Sequence, residues 1–211
     1  FKNYLNKNFN HSFENIHSIV CWDINLNELR SNEEVKDIAN QRRTLKVIPP
    51  ENGNDYTDNG ERAIFFARGV LETVKKLRWV PDIIHCQGWM SSVIPLYVKT
   101  AYHDEPSFTN AKVVTSLFTN ELKNDLGSNI KKCLEFRDAK ADLFTKYNDP
   151  FDFRELGKLA IDYSDGVIEA DGNVDSELIK YTENSNIPLL KYPGEDFAEQ
   201  YESFYNSICG E

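Results

Sequence analysis

Hydrophobic positions along the chain follow two alternating patterns, short continuous runs and longer stretches with helical spacing. The continuous runs predict buried strands, and they lie at 16–22, 45–48, 82–86, 112–118, 166–170 and 187–190. In the longer stretches apolar residues recur every three or four positions, which predicts amphipathic helices; these stretches are 61–77, 152–164, 175–182 and 195–208. Strands that alternate with helices form mainly parallel sheets covered on both faces. The pattern therefore predicts an α/β fold, a three-layer αβα domain.

One domain accounts for the whole chain, residues 1–211. A chain of 211 residues is long enough for one substantial core, and we find no internal repeat and no linker rich in Pro, Gly or Ser. The segment 1–43 has the least regular pattern. The chain begins with Phe1 rather than Met, so we expect its amino terminus to be trimmed or incompletely represented.

The strand-to-helix turn at 80–90 is the most informative stretch for function. An apolar strand ends there in polar and aromatic side chains around a glycine, the residues His85, Gln87, Gly88 and Trp89. Open α/β sheets bind ligands just beyond the carboxyl ends of their strands. These four residues are therefore candidate ligand-binding residues, and no residue of the chain is assigned a catalytic role.

Each of the four residues also has a purely structural interpretation. His85 is either a ligand contact or a packing residue whose ring nitrogens are satisfied within the strand layer. Gln87 either donates to a ligand or satisfies backbone groups of the turn. Trp89 is either a stacking platform for a ligand or part of the core. Gly88 most simply provides the turn itself.

Three acidic residues lie near the ends of predicted helices and strands, and we interpret each of them as structural. Asp162 and Asp165 stand beside Gly166 where a helix meets a strand, which is the amino edge of such a sheet. Glu61 lies in the first turn of a predicted helix, where a carboxylate interacts favourably with the free amides.

Composition narrows the class of partner. The formal net charge is -10 at pH 7, which opposes long-range attraction of polyanions, so we expect no nucleic-acid partner. No apolar run approaches the roughly 20 residues that span a bilayer, so we expect a cytoplasmic protein without membrane contact. The four cysteines form no C-x-x-C pair and the four histidines do not supply ligand spacing. We therefore expect neither a metal site nor a cofactor.

Four blocks of sequence resemble the amino-terminal half of the bacterial glycogen/starch synthase catalytic domain. They are 58–72 (DNGERAIFFARGVLE), 81–89 (PDIIHCQGW), 95–97 (PLY) and 159–167 (LAIDYSDGV). The resemblance extends from about Thr44 to Ile208 and is closest to short, single-domain members of that family. It implies one Rossmann-like half of a GT-B-type glycosyltransferase, an enzyme that moves glucose from ADP-glucose to an α-1,4-glucan. An α-glucan or ADP-glucose is the implied ligand, and a second copy or a partner protein the implied companion.

The chain departs from the family pattern in several places. His85 and Trp89 match the first His and the Trp of a His-x-His-x-Trp turn, but Gln87 stands at the second His. Residues Thr115-Ser116-Leu117 stand where the family has Val-His-Asn, and no Gly-Gly pair supplies its Lys-x-Gly-Gly loop. The second domain of such enzymes does not lie within these residues.

Two hypotheses of different classes follow. In the first, the chain is a domain of α-glucan metabolism that is inactive alone and binds glucan, a nucleotide or a protein. In the second, it is half of a glucosyltransferase and works with a partner that supplies the other half. The departures at Gln87 and at 115–117 favour the first.

Overall fold

A computed structural model of the protein describes residues 18–21, 55–120, 122–194 and 197–210. The predicted strand at 45–48 lies outside these residues, as does most of the segment 1–43. For 18–21 only the backbone is described.

The described strands form one five-stranded sheet in which all neighbours are parallel and lie in chain order. They are β1 (Ser18–Cys21), β2 (Ile83–Gln87), β3 (Lys112–Leu117), β4 (Gly166–Glu169) and β5 (Leu189–Leu190). The predicted α/β class and parallel sheet are confirmed. Because every strand runs the same way, the carboxyl ends of all five lie along one border of the sheet, which we call the carboxyl edge.

Six α-helices connect or follow these strands in the described residues. They are α1 (Asn59–Lys76), α2 (Ile94–Lys99), α3 (Ile130–Leu134), α4 (Phe153–Asp162), α5 (Ser176–Asn184) and α6 (Phe197–Cys209), with 3-10 turns at Trp89–Ser91 and Ala141–Phe144. Helices α4 and α5 begin where Asp152 and Asp175 accept hydrogen bonds from the backbone N–H groups of Glu155 and Glu177. Helix α2 begins at Ile94, after the 3-10 turn at Trp89–Ser91.

The first face of the sheet is covered by helices that cross over between consecutive strands. Leu71 of α1, Tyr97 of α2 and Leu159 of α4 are almost fully buried against Ile84 and Val113 of the sheet. Helix α5 adds Leu178, which packs with Leu117 and Val167 in a neighbouring apolar cluster. This face holds the main hydrophobic core, and apolar burial is the dominant source of its stability.

The second face is covered, in the part of the chain that the structure describes, by α6. Three adjacent strands each contribute one fully buried residue to this face, Ile83, Val114 and Ile168. Tyr201, Phe204 and Tyr205 of α6 pack over them. Gly166 allows the close approach, since a Cβ there would lie 2.9 Å from Ile208 Cδ1 and 3.0 Å from Phe204 Cζ. No residue of α6 is itself fully buried. Among the described residues, fewer helices therefore cover the second face than the first.

Candidate functional site

The turn after β2 is held by backbone conformation and by a serine. Gly88 has φ 76° and ψ 160°, a combination that side chains with a Cβ essentially never adopt. The Ser91 hydroxyl donates to the carbonyl oxygens of Gln87 at 2.8 Å and Gly88 at 2.9 Å. The chain consequently leaves the sheet sharply and enters the 3-10 turn, which places Gln87 at the carboxyl edge.

His85 lies in the middle of β2, on the second face, and is only 1% exposed. Its Nδ1 is 2.7 Å from the Tyr205 hydroxyl of α6 and 3.3 Å from Gln87 Nε2, and its Nε2 is 2.7 Å from Ser116 Oγ. An amide nitrogen and a phenol can both donate to Nδ1, so this arrangement places the ring hydrogen on Nε2, which donates to Ser116. Every polar atom of the ring has a partner within the fold.

Two tyrosines of α6 enclose the same imidazole. The ring of Tyr201 meets His85 at a centroid distance of 5.9 Å and that of Tyr205 at 5.7 Å, both in edge-to-face geometry. Burial lowers the pKa of His85 to about 3, because a charged imidazolium would lose its hydration. Burial likewise raises the pKa of both tyrosines. His85 is therefore a neutral group sealed between the sheet and α6.

Ser116 links this buried pair to the carboxyl edge. It lies opposite Gln87 in the parallel pairing of β2 and β3, and its hydroxyl forms a hydrogen bond that opposes the rise in the pKa of Tyr201. A serine that accepts from His85 still has its own hydrogen to donate to Tyr201. The result is a continuous hydrogen-bonded row of side chains, Tyr205, His85, Ser116 and Tyr201.

The four predicted residues do not share one surface. His85 and Gln87 lie on the second face and contact each other, whereas Trp89 is partly buried and packs against the hydrophobic core of the first face. Gly88 forms the turn between them. Their assignment as ligand-binding residues stays a prediction.

The carboxyl ends of β3 and β4 are joined by Asp171. Its carboxylate accepts from the backbone N–H and hydroxyl of Thr119 at 2.8 and 2.9 Å, and from the N–H of Asn173 at 2.9 Å. Partial burial pushes the pKa of Asp171 upward, but these hydrogen bonds outweigh it and hold the pKa below its ordinary value. Asp171 is thus an anionic group that fixes the loop at this edge.

Asp162 and Asp165 lie away from the carboxyl edge and are engaged in the fold. Asp162 accepts from the hydroxyls of Tyr147 at 2.6 Å and Tyr181 at 2.8 Å. Asp165 accepts from Lys99 Nζ at 2.6 Å and from the backbone N–H of Val113 at 2.7 Å. Both carboxylates tie α4 and the start of β4 to neighbouring elements.

Sequence reasoning missed the groups that satisfy His85. Tyr201 and Tyr205 stand on one side of a predicted amphipathic helix, but their position over β2 is a contact between residues 120 positions apart. The available signal was the spacing of four residues between Tyr201 and Tyr205 in a helix that follows the last strand. This spacing does not indicate which strand the helix covers. The sequence indicates that Ser116 replaces a histidine of the family pattern, but not that its hydroxyl bonds to His85.

A family model for the starch synthase catalytic domain matches residues 13–187. The chain belongs to this family. The match begins upstream of Thr44 and ends at residue 187, whereas the resemblance was expected to extend from about Thr44 to Ile208. Helix α6, which seals His85, therefore lies outside the matched segment.

Relatives of known function agree with the starch synthase family. The glycogen synthase of Chlorobium luteolum is 51% identical over 65 residues, which are 31% of this chain and 13% of that protein. The glycogen synthase of Photobacterium profundum is 29% identical over 164 residues, which are 76% of this chain and 30% of that protein. The chain is a glycogen/starch synthase-like domain, and it spans less than a third of the length of these relatives.

A solved structure supports the fold. The catalytic domain of starch synthase IV from Arabidopsis thaliana, bound to ADP and acarbose, aligns with a TM-score of 0.50 at 17% identity. The alignment covers 65% of this chain and 30% of that chain. Separately, none of the described helices is long and apolar enough to cross a membrane.

Proposed function

We propose that this chain is a starch-synthase-type domain of α-glucan metabolism that does not transfer glucose by itself. The proposal rests on the protonation and hydrogen bonding of His85 at the turn after β2. His85, which matches the first His of the family's turn, is buried and neutral. Gln87, at the position of the family's second His, donates to it. The proposal places the protein in the cytoplasm and in glycogen biosynthesis.

The chemistry of glucosyl transfer explains why this state matters. Transfer passes through a charge-separated transition state, so an enzyme needs donors and charges that already point at the reacting atoms. His85 has both ring nitrogens bonded within the fold, and the pKa of about 3 keeps it uncharged near neutral pH. Ser116, at the position of a further family histidine, is engaged with His85. Neither group is free to act on a sugar while α6 stays in place.

A second candidate function is half of a glucosyltransferase that acts with a partner. It is favoured by the extent of the family match, residues 13–187, in a chain that covers 30% of the Photobacterium profundum protein. In this version ADP-glucose and an α-1,4-glucan are the substrates, and the rest of the site comes from a second copy or another protein. His85 then needs α6 to move before it can contact a ligand.

A transfer assay separates the two candidates. The purified chain is incubated with ADP-glucose and a maltooligosaccharide primer, alone and with candidate partner proteins, and primer elongation is measured. We expect no elongation by the natural chain alone. Elongation in that sample, or its appearance in a Gln87→His variant, would contradict the first candidate, while elongation only with a partner would establish the second.

Amide chemical shifts locate any ligand that binds without turnover. The chain is titrated separately with ADP-glucose, ADP and a maltooligosaccharide. Shifts at Gln87 and Gly88 with the maltooligosaccharide support the α-glucan assignment of the carboxyl edge. Absence of shifts with all three compounds in a folded sample would refute it and direct attention to protein partners.

A further inference from the structure

The carboxyl edge carries exposed aromatic side chains on the side covered by α6. Tyr192, just after β5, and Phe197, the first residue of α6, are each 47% exposed. The ring of Phe197 packs against Tyr201 at a centroid distance of 5.2 Å and an interplanar angle of 57°. We call Tyr192, Phe197 and Tyr201 the aromatic ledge. Large apolar side chains that remain this exposed in a group are a common feature of binding surfaces.

The aromatic ledge is held in position by contacts at its base. The backbone N–H of Tyr192 donates to Glu169 Oε2 at 3.3 Å, and the side-chain amide of Gln200 donates to the carbonyl of Pro193 at 3.2 Å. The Tyr192 ring lies 3.7 Å from the position that a Cβ on Gly172 would take. These contacts hold Tyr192 against the end of β4 and link Pro193 to the first turn of α6.

The ledge continues the predicted ligand turn along the same edge. Tyr201 contacts His85, and Ser116 lies opposite Gln87 in the sheet. Tyr201 therefore contacts both His85 of the turn and Phe197 of the ledge. The ledge and the turn lie on the same side of the sheet.

Charge at the ledge selects against anionic ligands. In the described residues from Tyr192 onward the acidic side chains are Glu199 and Glu202, and there is no Lys, Arg or His among them. Lys191, the preceding residue, is paired with Glu183 at 2.6 Å, and Glu169 and Asp171 add carboxylates at the ends of the strands. A nucleoside diphosphate would be repelled here, whereas carboxylates accept hydrogen bonds from the hydroxyls of a neutral ligand.

We propose that the aromatic ledge binds an α-glucan chain, stacking the apolar faces of neutral glucose units on Phe197 and Tyr192. This inference rests on the proposed function, which names α-glucan as the ligand, and adds where it binds and why the nucleotide does not bind there. The ledge lies beyond residue 187, the end of the family match, so it is a feature of this chain rather than of the matched segment.

Two alanine variants and a matched control test the ledge. Maltoheptaose is titrated into the full chain and into Phe197→Ala, Tyr192→Ala and Phe65→Ala, with ADP as a comparison. Phe65 is the control because it is 63% exposed on α1, which covers the opposite face of the sheet. We expect each ledge variant to weaken maltoheptaose binding about three- to tenfold, the scale of an aromatic contact. Phe65→Ala should bind as the natural chain does, and Phe197→Trp should retain binding.

The outcomes separate the ledge from the function on which it rests. Equal binding by the natural chain and both ledge variants would overturn the ledge while leaving α-glucan as the ligand. Failure of every form to bind maltoheptaose would refute the α-glucan function, and the ledge with it. ADP shifts centred on Phe197 would refute the selection against anions. A lower mass in gel filtration for the ledge variants, with unchanged maltoheptaose binding, would identify a second copy as the occupant.

Discussion

The two faces of the sheet are held by different chemistry. The first face is packed by four crossover helices whose apolar side chains are almost fully buried, and its strands contribute Ile84 and Val113. The second face is packed by α6, none of whose residues is fully buried, and it includes a buried histidine with three side-chain partners. Apolar burial therefore dominates the first face, whereas the second face combines apolar burial with hydrogen bonds of fixed geometry to His85. We therefore expect the stability of the second face to depend more strongly on pH, and on single polar atoms, than the stability of the first face does.

The largest loss of unfolding free energy should follow from a substitution in the core of the first face. Leu159→Ala removes a fully buried side chain from α4 and should cost about 2 to 5 kcal/mol of unfolding free energy, since it leaves a cavity. Phe204→Ala, in the more exposed α6, should cost less. Urea unfolding of both variants measures the difference, and a larger loss for Phe204→Ala would reverse the ranking of the two faces.

Acid should weaken the second face in particular. The unfolded chain binds a proton at His85 near the ordinary pKa of 6.5, whereas burial lowers the pKa of the folded state to about 3. Stability is therefore complete above pH 6.5 and falls as the pH is lowered toward 3. Between pH 7.5 and 5 the natural chain should lose about 2 kcal/mol more than a His85→Gln variant does. Parallel pH profiles for the two proteins would contradict the burial of a neutral histidine.

Two glycines on the two sides of the molecule offer a matched pair. Gly166→Ala places a methyl group 2.9 Å from Ile208 and 3.0 Å from Phe204, which should displace α6 and cost about 1 to 3 kcal/mol. Gly69→Ala lies on the exposed side of α1 with no heavy atom within 4 Å of the added group. It should stabilise the fold by about 0.5 to 1 kcal/mol through helix propensity. Thermal unfolding reports both signs, and a stabilising Gly166→Ala would mean that α6 does not pack closely here.

The smallest expected loss of stability concerns one hydroxyl group. Tyr205→Phe keeps the ring against His85 and removes the donor 2.7 Å from Nδ1, which should cost about 1 kcal/mol. Tyr192→Phe serves as the control, because Tyr192 is 47% exposed and loss of its hydroxyl should change stability little. If urea midpoints of the two variants coincide, the Tyr205 bond contributes nothing measurable.

Local sequence pattern was sufficient for most of the described fold. The runs at 82–86, 112–118 and 166–170 become β2, β3 and β4, and the spacing at 152–164 becomes α4, because burial on both faces of a strand and on one face of a helix imposes these periods. The 3-10 turn after Gly88 escaped prediction, since it depends on Ser91 bonding backward to two carbonyls. The strands and helices predicted from apolar periodicity are therefore the part of the fold that local sequence determines.

The candidate site was only partly accessible from the sequence. Its position at the end of β2 followed from the strand and the glycine, but the state of His85 depends on Tyr205, 120 residues away, and on the register that sets Ser116 beside it. No periodic pattern encodes which strand a terminal helix covers. The open choice between ligand contact and packing residue at His85 therefore needed the three-dimensional arrangement.

The most direct test of the sealed site is an NMR titration of the His85 ring. Imidazole nitrogen and carbon shifts of the natural chain are followed from pH 7.5 to the lowest pH at which it stays folded. The account predicts a neutral ring with its hydrogen on Nε2 throughout, with no titration near 6.5, in agreement with the pKa of about 3. A ring that titrates near 6.5, or one with its hydrogen on Nδ1, would show that His85 is open to solvent or differently bonded, and would contradict the enclosure by α6.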